Sequence, residues 1–332
     1  MMYRPDESRY EKIPYVRCGC SGLKLPLISL GFWHNFGDSS SFENSRQMIT
    51  KAFDLGITHF DLANNYGPPA GGAEMTFGRV LKEDLKAYRD EIIISTKAGY
   101  KNWPGPYGDF GSKKHLMASL DRSLTRLGVE YVDIFYHHRP DPKTPLEETI
   151  SALSDMVKQG KALYVGLSKY NIEETKQALS ILKELKTPCL IHQTNYSMLN
   201  RTNEDGLFDL LEQENIGAIT FSAMAGGKLT NRYLNGIPAD SRAGKHEMNA
   251  DDITPELITK VKLLNEVAAS RGQSLAQMAV SWVLKNKAVT SVIVGASRVS
   301  QLEDTTRAIH HLDFTEEEEL KAIDAILLGK VL

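Results

Sequence analysis

Ile92-Ile-Ile-Ser-Thr-Lys97 is an almost unbroken run of β-branched residues that stops on a charge. Thr58-His-Phe-Asp61 and Asp133-Ile-Phe-Tyr-His-His138 are built the same way, short apolar runs closed by a polar or ionisable side chain. Runs of this length without polar alternation read as strands buried on both faces, the pattern of parallel sheets. Five further runs extend the series: Leu27-Ile-Ser-Leu-Gly-Phe-Trp33, Ala162-Leu-Tyr-Val-Gly-Leu-Ser168, Leu190-Ile-His-Gln193, Ala218-Ile-Thr-Phe221 and Ser291-Val-Ile-Val-Gly295.

Helical patterns lie between most of these runs. Residues 112–127 place Leu116, Leu120, Leu124 and Leu127 on one face, and residues 145–158 open with Pro and two glutamates, a helix start. Strand–helix alternation calls for parallel pairing through helical crossovers. Eight such units in 332 residues, with no break in composition, predict one α/β domain over residues 1–332, a (β/α)8 TIM barrel. Two pieces fall outside the eight units. Residues 15–25, with a Gly/Ser turn between extended runs, read as an N-terminal β-hairpin. Residues 230–252 form a long polar loop after strand seven and read as a lid.

The net charge is -3 with acids and bases interleaved, which offers no attraction to nucleic acid or to a membrane surface. The first residues are polar, so a signal peptide is not expected, nor is any apolar stretch long enough to span a bilayer. Three cysteines, an odd number without zinc-ligand spacing, point to a reduced, cytoplasmic setting.

In a barrel, reactive groups gather where strands end. The ends here supply Phe32-Trp33, Asp61, Lys97, His137-His138, Ser168-Lys169, Gln193 through Asn195, Phe221-Ser222 and Gly295 through Ser297, with Tyr66 five residues past Asp61. Asp61 and Lys97 could simply brace two strands as a buried ion pair, and Tyr66, followed by Gly67-Pro-Pro69, could be a surface loop residue. The alternative joins them. Asp61 would orient Lys97, and the ammonium would lower the phenol pKa of Tyr66 from its usual value of about 10. A histidine would hold a carbonyl oxygen beside that general acid. Strand alternation sends His137 and His138 to opposite faces, so spacing alone does not choose between them. Ser297 and Arg298, ahead of a helix near Ser300, suit a phosphate, although a serine N-cap is the common reading of such a turn. No G-x-G-x-x-G follows a strand, which disfavours a Rossmann site.

Gly56-Ile-Thr-His-Phe-Asp-Leu-Ala-Asn-Asn-Tyr-Gly67 with Glu74 and Gly78, Arg126-Leu-Gly-Val-Glu-Tyr-Val-Asp-Ile-Phe-Tyr-His-His138, and residues 291–297 with Gln301 together resemble the signatures of the aldo-keto reductase family. The resemblance implies that Tyr66 is the acid, that Asp61 and Lys97 tune it, and that His138, five residues after Asp133, binds the carbonyl oxygen. It implies NADPH along the barrel top. Phe221 matches the residue stacked on the nicotinamide, and Ser168 and Gln193 match those holding its carboxamide. Ser222, Met224, Gly226 and Lys228 match the pyrophosphate loop. Ser297, Arg298 and Gln301 match the 2′-phosphate and adenine pocket, with Asp304 and Thr305 beside them, while Phe32, Trp33 and Gly295 complete the cofactor set. The stretch 9–26, His138-Arg-Pro-Asp141 and the loop after strand seven are similar to the potassium-channel β-subunit-related branch, which includes bacterial glyceraldehyde 3-phosphate reductases and forms tetramers or octamers.

The resemblance therefore implies NADPH-dependent reduction of a small aldehyde or ketone, such as a triose phosphate or methylglyoxal, by a homo-oligomer without nucleic-acid or direct membrane contacts. Two other readings stand beside it: a lyase with Lys97 as Schiff-base nucleophile, and a regulatory subunit that senses cofactor redox state. Trp33, His34, Trp103, Arg139 and residues 230–252 are expected to set specificity, and Arg139 and Lys101 are candidates to meet a substrate phosphate.

Overall fold

The computed structural model describes residues 3–239, 241–245, 247–314 and 317–330. The eight expected runs form eight strands: β3 (Ile28–Gly31), β4 (His59–Asp61), β5 (Ile93–Ala98), β6 (Val132–His137), β7 (Ala162–Ser168), β8 (Cys189–Asn195), β9 (Gly217–Phe221) and β10 (Val289–Val294). They close into a barrel in which every neighbour is parallel and β10 pairs back onto β3. The expected hairpin is present as β1 (Tyr15–Arg17) and β2 (Lys24–Pro26), antiparallel across a turn at Cys18 through Leu23.

The hairpin stoppers the barrel at the N-terminal ends of the strands. Cys18 and Leu25 are fully buried in one cluster with Ile93, Ile134, Tyr136, Ile191, Ile219 and Ile293. The fit is tight: a Cβ on Gly217 would meet Cys18 Sγ at 2.4 Å. A second cluster fills the shell between strands and helices, where each buried Leu, Ile or Phe side chain stabilises by roughly 1.5–3 kcal/mol.

The helices begin where their sequences provide caps. Ser112 accepts from the His115 amide ahead of α4 (Lys113–Leu127), whose C-terminus is closed by Gly128 at φ 69°. Asn171 and Glu174 make a reciprocal capping box at α6 (Ile172–Glu184). Pro145 caps α5 (Leu146–Lys158), which therefore opens one position later than expected. Helix α3 (Gly72–Val80), directly after Tyr66, is tied to the barrel by Glu74. This fully buried carboxylate accepts from Thr96 Oγ1 at 2.6 Å and Arg126 Nε at 2.6 Å.

The loop after β9 is not featureless. It carries short 3-10 turns at Asn231–Tyr233 and Ala250–Asp252 and buries Tyr233, Ser241 and Ala243. Asp240 and His246 of the expected lid lie outside the described residues. Among the described residues, no helix is long and apolar enough to cross a membrane.

Candidate active site

A cleft of about 1080 Å³ opens at the C-terminal ends of the strands, running from Asp61, Tyr66 and His138 to Ser297, Arg298 and Gln301. Asp61 and Lys97 stand at the ends of adjacent strands β4 and β5. Lys97 Nζ donates to Asp61 Oδ2 at 2.7 Å and to the Leu62 carbonyl at 2.6 Å, with the ammonium fully buried. The other carboxylate oxygen, Oδ1, accepts from Ser95 Oγ at 2.8 Å and Gln193 Nε2 at 3.0 Å. Burial pushes the Lys97 pKa down while Asp61 pushes it back up. With two of its three N–H bonds committed and no exposure, Lys97 is a poor Schiff-base nucleophile.

Tyr66 lies in the loop between β4 and α3, half-buried, with Oη 3.4 Å from His138 Nε2 and the two rings edge to face at 5.6 Å. Lys97 Nζ sits 4.9 Å from the centroid of the Tyr66 ring. The sequence predicts a phenol depressed by this ammonium. The structure reverses the direction: burial, then the Asp61 carboxylate, push the phenol well above its usual range. Tyr66 therefore keeps its proton at neutral pH.

His138 follows the last residue of β6 and is buried against Tyr66 and Tyr100. Burial, then Lys97 and Lys169, push its pKa well below the ordinary value, so the imidazole is neutral. Its Nδ1 has no hydrogen-bond partner among the described residues, while its Nε2 faces Tyr66. The phenol and this ring nitrogen thus stand a few ångströms apart at the cleft's inner end, where one oxygen can meet both. His137 points the other way, with Nδ1 2.6 Å from Tyr170 Oη, so strand alternation separates the pair as expected.

Most of the other expected residues line the cleft: Phe32, Trp33, Gln193, Phe221, Ser222, Met224, Gly226, Gly295, Ser297, Arg298, Gln301, Asp304 and Thr305. Ser168 is fully buried opposite Gln193 in the β7–β8 register, with its hydroxyl unpartnered. Gln193 spends one N–H on Asp61, leaving the rest of its amide for the cleft. Ser297 Oγ donates to Gln301 Oε1 at 2.9 Å, and Asp304 accepts from Gln277 Nε2 at 2.7 Å. Lys228 is placed differently from expectation. Its ammonium pairs with Asp252 at 2.9 Å and is not part of the cleft wall. Arg139, a candidate to meet a substrate phosphate, is committed to the Gly99 carbonyl at 2.8 Å and Asp109 at 2.8 Å, between the rings of Tyr100 and Phe110.

Three further contributors lie outside the expected catalytic and cofactor set, of which Lys169 was already noted at a strand end. Tyr100 packs edge-on to His138 at 4.7 Å and accepts from Lys169 Nζ at 2.8 Å. Lys169 lines the cleft with a left-handed φ of 62°, uncommon for a non-glycine residue. Arg242 comes from the loop after β9. Its guanidinium lies 5.3 Å from the Trp33 ring, and Cβ atoms built on Gly226 or Gly295 would meet it at 3.9 Å. It thus spans the middle of the cleft, from the loop after β9 to the end of β10. Only Lys169 carries a local signal, its place just past β7; Tyr100 and Arg242 depend on where a loop folds back.

The residues fit a nicotinamide dinucleotide. The cleft is long, offers the Phe221 ring and the orphaned Ser168 hydroxyl near Gln193, and carries Arg242 and Arg298 further along. The profile of the aldo/keto reductase family matches residues 27–328. An L-glyceraldehyde 3-phosphate reductase of Escherichia coli strain K12 is 55% identical over 330 residues, covering 98% of this chain and 95% of the relative. A putative voltage-gated potassium channel subunit beta of Schizosaccharomyces pombe is 34% identical over 329 residues, 96% of this chain and 94% of the relative. A probable voltage-gated potassium channel subunit beta of Arabidopsis thaliana is 33% identical over 323 residues, 95% of this chain and 97% of the relative.

Proposed function

The chain belongs to the aldo/keto reductase family, and on that premise we propose that it uses NADPH to reduce small aldehydes, glyceraldehyde 3-phosphate and methylglyoxal-type compounds foremost. The observation that carries the reading is the pair of neutral groups, Tyr66 Oη and His138 Nε2, 3.4 Å apart at the inner end of the cleft and backed by the buried Lys97–Asp61 pair. The phosphate in the name of the Escherichia coli relatives supports a phosphorylated substrate.

In this reading, Phe221, Ser168 and Gln193 hold the nicotinamide, and Arg242, Ser297, Arg298 and Gln301 hold its anionic and adenosine parts. When bound, NADPH supplies a hydride to the carbonyl carbon. His138 aligns the carbonyl oxygen through Nε2–H. Tyr66 passes its proton to that oxygen as charge develops there, because an alkoxide is a stronger base than a phenolate. The ammonium of Lys97, steadied by Asp61, lies over the Tyr66 ring where the phenolate then forms and lowers the energy of that product state. The barrel acts as one domain over residues 1–332, in a homo-oligomer of four or eight chains. The three free cysteines fit a reducing, cytoplasmic setting.

Stopped-flow NADPH oxidation with glyceraldehyde 3-phosphate tests the reading. Tyr66→Phe is expected to slow turnover by roughly 10²–10⁴. Turnover undiminished in that variant sinks the assignment of the acid.

A further inference from the structure

Four polar side chains from four strands occupy the interior of the barrel beneath Asp61: Ser291 on β10, Ser29 on β3, His59 on β4 and Ser95 on β5. All four are fully buried. Ser291 Oγ is 2.7 Å from Ser29 Oγ, Ser29 Oγ is 2.9 Å from His59 Nδ1, and His59 Nε2 is 2.9 Å from Ser95 Oγ. Ser95 Oγ is in turn 2.8 Å from Asp61 Oδ1.

The direction of every bond follows from the last one. The Asp61 carboxylate, paired with Lys97, only accepts, so the Ser95 hydroxyl donates to it. A hydroxyl has one proton, so Ser95 must accept from His59, which places the imidazole proton on Nε2. The bare Nδ1 then accepts from Ser29, and Ser29 accepts from Ser291. The donors all point toward Asp61. Ser291 shows no further side-chain partner among the described residues and is sealed from solvent, so the chain is a closed end and not a proton conduit.

An apolar layer could fill this space without the desolvation cost of four polar groups. What the polar chain adds is one charge-assisted hydrogen bond aimed at the face of Asp61 opposite Lys97. Loss of the His59 contact leaves the Ser95 hydroxyl free to turn from Asp61 toward the Phe60 carbonyl, which it already approaches at 3.5 Å.

We propose that His59 is a positioning residue of the proton-donating site, the central link of a one-way donor chain that holds Asp61 aligned on Lys97. The inference rests on the reading of Tyr66 as the acid, tuned by Lys97 and Asp61. Burial holds His59 down to about 4, and the charged groups acting on it are Asp61 on its own strand and Lys97 on β5, so the ring stays neutral in the working range. The serines facing it from β3 and β5 carry no charge.

Two experiments decide it. Nitrogen-15 NMR of histidine-labelled wild-type protein is expected to show His59 as the Nε2–H tautomer, unchanged between about pH 5 and about pH 9. An Nδ1–H tautomer or a titrating ring overturns the proposal, and this readout does not depend on activity. In kinetics, His59→Leu is expected to lower kcat roughly tenfold with the aldehyde KM unchanged. His59→Gln, whose amide can donate to Ser95 and accept from Ser29, is expected to recover kcat to within about threefold. A His59→Leu protein that only melts earlier, with its kcat intact, reduces His59 to packing and overturns the proposal. If His59→Leu does not fold, the glutamine variant and the tautomer carry the decision. Tyr66→Phe measured alongside separates the two ideas: retained turnover there defeats the functional reading, whatever His59 does.

Discussion

Lys97 Nζ lies 2.7 Å from Asp61 Oδ2 across neighbouring strands, and the ammonium is sealed from solvent. The pair is a charge placed in the core with one designated partner. Such pairs add little net stability against an apolar replacement, yet removing one partner leaves the other uncompensated.

Asp61→Asn should therefore lower stability by roughly 3–5 kcal/mol and let Lys97, already pushed down by burial, lose its proton far more readily. Urea denaturation checks the first effect. The double change Asp61→Leu with Lys97→Met should recover most of the stability while leaving turnover lost. A double variant that regains turnover would contradict the tuning role of the pair.

Three buried histidines make the fold acid-sensitive. Burial holds His59 to about 4, His192 to about 4 and His137 to about 3. His192 has no side-chain partner among the described residues, and His137 has Tyr170 on Nδ1. In the unfolded chain each titrates near 6.5. Above that pH neither state binds the proton, and the contribution to stability is complete. Between about 6.5 and about 4 the unfolded chain binds protons that the native protein refuses, so stability falls with pH by about 1.4 kcal/mol per pH unit for each histidine. Urea midpoints taken across this window should fall steeply, and His192→Leu should make the fall shallower. An unchanged slope in that variant would remove His192 from the account.

In the proposed reading, Arg242 and Arg298 serve two separate parts of cofactor binding. Arg242 spans the middle of the cleft near Gly226, Gly295 and Trp33, whereas Arg298 stands exposed at its far end, with Nε donating to Ser300 at 3.2 Å. Arg242→Ala should weaken NADPH and NADH alike, by roughly tenfold or more, as expected for the loss of a charge-assisted contact to the shared pyrophosphate. Arg298→Ala should weaken NADPH selectively, since only that cofactor carries a 2′-phosphate. Fluorescence titration with both cofactors reads the difference. A selective effect of Arg242→Ala, or a uniform one of Arg298→Ala, would reverse these placements.

Much of the fold was legible because the strands are apolar on both faces and end on polar residues. Those properties are written locally in Ile92 through Lys97 and in Asp133 through His138. Asp61, Lys97 and His138 could be placed at one rim by strand order alone. Ser112 opens the apolar pattern read over residues 112–127, and it caps that helix in the structure for the same local reason. Lys228 illustrates the limit. Its position after β9 suggested the cofactor, but its ammonium reaches Asp252 instead, a partner twenty-four positions away in the chain.

The sequence by itself determined the alternation of strands and helices, the parallel barrel, the polar residues at its rim and, through its signatures, the family. These depend on periodicity and burial within short segments. Only the tertiary structure decided that Tyr66 is pushed up and not down, because the phenol is buried and faces the Asp61 carboxylate. Only it brought Arg242 over the cleft and joined Ser291, Ser29, His59 and Ser95 into one line. A strand's twofold period says which face a side chain takes, but barrel closure and the path of the loops decide which neighbours it meets there.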